Sequence, residues 1–142
     1  MTQSGDFGGE IDGKWLESEA RIDKVSTEQA EWALSGRPLD PETNSRWMNE
    51  TTAHYCFWVA QERVWDAIKT NNEVAHYVQL KKLTDTKFVS AVAERESSLA
   101  VARERYMRNR AEANRLKCEQ IINTTKMNQR AIFGEKITAN GG

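Results

Sequence analysis

At 142 residues, with 39% hydrophobic side chains and a mean hydropathy of −0.73, the chain suits a single domain and argues against a deep globular core. A formal net charge of −1 names no partner by itself, and two cysteines, Cys56 and Cys118, give neither a disulfide framework nor a metal spacing, which suits a reduced, cytoplasmic setting. No apolar run approaches the ~20 residues of a membrane span, and the opening MTQSGDFGGE is polar and unlike a signal peptide.

Residues 1–9 read as a disordered tail, polar and with three glycines. A single helical domain is expected over 10–134. Its first helix starts near Ile11 or Asp12 and ends near Lys24. VSTEQAEWALSG then reads as a second short helix, with Ser26 as cap, Gln29 at the capping-box position and Gly36 suited to a left-handed C-terminal stop. RPLDPE is the one clear loop.

Asp40 and Pro41 start the next helix well, because the aspartate accepts from free N–H groups and proline loses no donor there. That helix is expected over 41–70 and, if Thr70–Asn72 does not break it, on to Leu83. A short helix over 85–93, capped by Thr84 or Asp85, and a long helix over 97–133 ended by Gly134 complete the chain, with 135–142 fraying. With both prolines near position 40 and no glycine between Leu39 and Phe133, the class is all-α. The expected architecture is an elongated helical bundle with a long C-terminal helix, coiled-coil-like and completed by oligomerisation.

Trp47, Trp58 and Trp65 are separated by 11 and 7 residues, so helical winding places them on one line. Such a face is either core or interface, or a strip on which bases stack. The last helix carries an apolar seam of Leu99, Ala102, Tyr106, Ala113, Leu116, Met127 and Ala131. It also carries most of a basic run: Arg103 to Arg130 holds eight basic residues against three acidic, whereas Met1 to Glu31 holds eight acidic against three basic. A basic helix face can follow a phosphate backbone, or it can simply be solvated.

No chemistry stands out. His54 and Cys56 are two apart on a helix and point away from each other, so no metal site and no cofactor is expected. Phosphate-binding glycine loops, nucleophile elbows and paired-carboxylate motifs are missing from the sequence. A non-enzymatic role follows.

NSRWMNE (Asn44 to Glu50), with LTDTKFVSAVAERESSLAVARERYMRNRAEANRLKCEQIINTTKMNQRAIFGE (Leu83 to Glu135), resembles phage UvsY-type recombination mediators: a Trp-bearing early helix, a threonine-capped short helix, then a long helix centred on AEANRLK. The Trp-rich stretch around Tyr55 to Trp58 is more aromatic than that pattern. The resemblance implies a ring-forming homo-oligomer that binds single-stranded DNA and assists loading of a RecA-like recombinase onto strand coated with single-strand-binding protein. The matching candidates for phosphate contact are Lys81, Lys82, Lys87, Arg103, Arg105, Arg108, Arg110 and Arg115. Two alternatives stand beside it. One is a phage inhibitor of the anti-defence kind, whose acidic segment (Asp12, Glu17, Glu19, Asp23) mimics nucleic acid and whose Trp face anchors a protein partner. The other is a helical structural or assembly factor.

Overall fold

A computed structural model describes residues 11–83 and 88–141, with side chains to 134. The expected disordered tail over 1–9, the caps Thr84 and Asp85, Lys87, and the last residue of the expected frayed end lie outside the described residues. Four helices make up the described chain: α1 (Gly13–Ser35), α2 (Pro41–Leu83), α3 (Ser90–Ala100) and α4 (Ala102–Gly141). The all-α expectation holds, and no strand occurs among the described residues.

The helix boundaries differ from expectation in informative ways. Gly13–Ser35 forms one helix, where two were expected over 11–35. Asp12 caps it by accepting from Lys14 N at 2.8 Å, and Gly36 ends it at φ 70°. Ser26 starts nothing, because the buried row Trp15, Ser18, Ile22, Val25 and Gln29 runs straight past it. Continuous packing outweighs a local capping option. At the start of α2, Asp40 accepts from Thr43 Oγ1 at 3.0 Å and from Glu42 N at 3.4 Å, as the Asp-Pro pair suggested. The helix then runs unbroken through Thr70–Asn72 to Leu83, since those residues are poor helix formers but still donate every backbone N–H.

The later junction also moves. Ser97 and Ser98 lie inside α3, and the break falls at buried Val101 (φ −106°, ψ 27°). Gly134 does not stop α4, whose backbone continues to Gly141. An exposed helical glycine costs only about 1 kcal/mol relative to alanine, so the helix passes through it.

The chain divides into two compact units, one formed by residues 59–112 and the other by 11–58 with 113–141. In the second unit, α1, the first part of α2 and the last part of α4 bury Trp15, Ile22, Val25, Trp47, Trp58, Cys118 and Ile121. Polar residues take the remaining inward positions, and each of several uses its amide on a helix carbonyl. Gln29 Nε2 donates to Ile121 O at 3.4 Å, and Asn44 Nδ2 donates to Thr125 O at 2.9 Å. Asn128 Nδ2 in turn donates to Asn44 Oδ1 at 3.2 Å. These bonds tie three helices in one register, because a buried amide pays only where its partner stands opposite.

In the unit of residues 59–112 the buried side chains are Ala93 and Ser97 from α3, Val101, and Met107 and Ala111 from α4. The part of α2 in this unit, from Val59 to Leu83, buries none.

Candidate nucleic-acid interface

On α4 the inward row is Met107, Ala111, half-buried Asn114, Cys118, Ile121 and Thr125, spaced by fours and threes. Most of the apolar seam expected from the sequence faces solvent, with only Ala102 and Tyr106 of it half-buried. Leu99, Leu116 and Met127 are 66%, 48% and 67% exposed, and Ala113 and Ala131 are exposed too. The inward row of α4 thus mixes Met107 and Ile121 with small and polar side chains, and leaves Leu116 and Met127 of α4, with Leu99 of α3, in water.

That rotation decides what the arginines do. Arg103 and Arg110, seven apart, lie on one flank of the buried row; Arg108 and Arg115, seven apart, lie on the other. All four are half-buried. Their head groups meet local partners.

Arg103 stacks 5.3 Å from the ring centroid of Trp65. Arg105 donates to Ser98 O at 2.7 Å and Ser98 Oγ at 2.6 Å, which satisfies a carbonyl near the end of α3. Arg108 pairs with Glu112 at 2.7 Å and brings Nε to 3.4 Å from Asp66 Oδ1. Arg110 donates to Tyr106 Oη at 3.0 Å. In the other unit, Arg115 pairs with Glu119 at 2.9 Å, and Tyr55 donates to the same carboxylate at 3.4 Å. Lys81 and Lys82 differ from all of these. Both are exposed in the last turn of α2, and neither has an ion pair among the described residues.

The tryptophan line splits. Trp47 and Trp58 are 2% and 0% exposed, so they are core and offer no surface for stacking. Trp58 meets Trp15 edge-on at 4.8 Å between ring centroids, and Trp47 meets Trp32 at 6.5 Å. Each indole N–H is satisfied: Trp47 Nε1 donates to Glu28 Oε1 at 3.0 Å, and Trp58 Nε1 to Ser18 Oγ at 2.9 Å. Trp65 is half-buried under Arg103.

Three titratable groups respond to this packing. The bond from Trp47, foremost, and then Arg46 hold the Glu28 carboxyl below its ordinary value, against some desolvation. Burial pushes the Cys118 thiol up to about 12. Desolvation holds His54 below its ordinary value, helped by Arg21 and opposed by Glu50 and Glu17.

The acidic residues proposed as a nucleic-acid mimic are largely occupied. Asp12 caps α1, Glu17 pairs with Arg21 at 3.4 Å, Glu19 accepts from Asn114 at 2.8 Å, and Asp23 pairs with Lys117. Among the described residues no group of three His, Cys, Asp or Glu side chains converges as metal ligands. No helix among them is long and apolar enough to cross a membrane. No family model, curated protein or solved structure matches the chain.

One surface escaped the sequence reading. Ala60, Val64, Ala67, Val74 and Val78 follow one another along α2 at spacings of four, three, seven and four, and all are exposed; the three valines are 50%, 57% and 42% exposed. The signal was present as a second helical period beside the tryptophan line, but small residues make a faint stripe.

Proposed function

We propose that the protein is a non-enzymatic accessory factor of phage-type DNA recombination or replication, which binds single-stranded DNA and assists loading of a RecA-like recombinase. The observation that carries this reading is the exposed cation pair Lys81–Lys82 at the end of α2, which has no ion pair among the described residues. Phosphate binding needs charge that is not already spent on a carboxylate. The arginines of α4 hold the scaffold on which that pair stands, with Arg103 over Trp65 the nearest to an aromatic-cation site. Both lysines also offset the helix dipole, and this role is compatible with binding phosphate.

The exposed valine stripe on α2 supports the oligomeric part of the reading, since a helix with apolar residues at this period gains from a second apolar surface. The same stripe favours a second reading, a helical inhibitor or assembly factor that binds protein and no DNA. Fluorescence anisotropy of a labelled oligonucleotide, titrated at low and moderate salt, separates the two. Saturable binding that weakens steeply with salt supports the first. A flat titration at low salt, from a protein whose molar mass by light scattering exceeds that of one chain, supports the second.

A further inference from the structure

Where α1 turns into α2, the segment Gly36–Leu39 and residues 128–132 of α4 enclose a half-open cleft of about 370 Å³. It belongs wholly to the unit of residues 11–58 and 113–141. Five of its eight lining residues are apolar, Trp32, Pro38, Leu39, Ala131 and Ile132, with Trp32, Leu39 and Ile132 half-buried. The cleft is also braced. Trp32 Nε1 donates to Arg37 O at 2.9 Å, so the indole wall and the turn hold each other in place.

Two polar side chains join this lining, Asn128 and Arg37. Asn128 donates to Asn44. The Arg37 guanidinium has no hydrogen bond or ion pair with any described residue, which sets it apart from the paired arginines of α4. A concave surface of ligand-like size and mixed polarity, with a guanidinium at its rim that has no partner among the described residues, matches a ligand with an apolar and an anionic part.

We infer that this cleft receives an apolar group bearing a carboxylate, as a free aryl- or alkyl-carboxylic acid or as the carboxy-terminal residue of a polypeptide. The apolar part lies against Trp32, Leu39 and Ile132, and the carboxylate pairs with Arg37. The site is independent of the DNA-binding reading, and no bond is made or broken in it.

The test uses the full chain and the indole N–H resonance of Trp32, assigned by its loss in Trp32→Phe. The probes are 3-phenylpropionate, its uncharged amide, and a short peptide ending in phenylalanine with a free carboxylate. A saturable shift of the Trp32 resonance by either carboxylate is expected, with binding about tenfold weaker for the amide and in Arg37→Gln. Filling the cleft with Ala131→Trp abolishes the shift while the melting temperature stays near the parent's. Tighter binding of the peptide names a chain terminus as the source, and tighter binding of the free acid names a small molecule. No saturable shift up to about 10 mM, or an amide or Arg37→Gln affinity equal to that of the parent pair, overturns the inference.

Discussion

Ser18 joins Trp58 to His54: its Oγ accepts the indole N–H at 2.9 Å and lies 2.7 Å from His54 Nδ1. A hydroxyl has one proton to give, and giving it to Nδ1 satisfies all three groups with His54 neutral. A serine in the buried row of α1 is thus the small counterpart that two larger residues of α2 require.

Truncating this arrangement reports on the core. Trp58→Ala should lower stability by about 3–5 kcal/mol, the range for buried tryptophan. Ser18→Ala should lower it by about 1–3 kcal/mol, because it strands a buried indole N–H. Urea unfolding followed by circular dichroism measures both, and a Trp58→Ala protein that melts like the parent would contradict the burial of that ring.

The sign of the pH response follows from His54. Its folded value lies below the ordinary 6.5, so the unfolded chain takes up the proton first as pH falls. The stability it contributes is complete above about 6.5 and is lost as pH drops through the lowered folded value. Glu28 has the same sign in a lower window, beginning below its ordinary 4.5. Between pH 7.5 and 5, as an order-of-magnitude window set by these ordinary values (~6.5 and ~4.5), the parent's melting temperature should fall more than that of His54→Gln. Equal slopes would show that His54 does not titrate differently on folding.

Thiol chemistry should separate the two cysteines. Cys56 is exposed, whereas Cys118 is buried with its thiol pushed up to about 12. An aromatic disulfide reagent should therefore titrate Cys56 rapidly in native protein and Cys118 only after denaturant is added. Labelling located by peptide mass spectrometry checks the assignment.

Charge removal distinguishes scaffold from contact. Lys81→Ala with Lys82→Ala should leave the melting temperature unchanged, weaken oligonucleotide binding and reduce the salt slope by about 1.4, at roughly 0.7 per phosphate contact on single strands. Arg108→Ala should do the reverse, lowering the melting temperature through the lost Glu112 and Asp66 partners with a smaller effect on binding. If the double lysine variant binds as the parent does, the lysine pair is not the contact.

The helical class, the Asp40–Pro41 start and the Gly36 stop were legible because each rests on backbone chemistry that a single residue controls. A core or interface role for Trp47 and Trp58 was legible from their line on one face, and both are buried; period alone did not exclude a stacking strip, since it cannot say which side of a line meets water. The seam of α4 was misread for a physical reason. Apolar bulk points to Leu116 and Met127, whereas the buried positions of α4 are Met107, Ala111, Cys118, Ile121 and Thr125, a row in which small and polar residues stand beside apolar ones. The arginine candidates were found by charge density; their i,i+4 pairs with Glu112 and Glu119 follow from spacing within one helix, whereas the contacts with Asp66 and Ser98 depend on how separate helices meet.

Continuity of α2 conceals a change in what sustains it. As far as Trp58 its turns are anchored by buried side chains; from Val59 to Leu83 no side chain is buried, and helices draw most of their persistence from such anchors. Solvent deuterons should therefore replace amide protons first beyond Trp58 and last around Trp47 to Trp58. A rod that is unbroken in its hydrogen bonds would thus behave in exchange as a firm stem with a yielding tip, which a cover over Val64, Val74 and Val78 would stiffen.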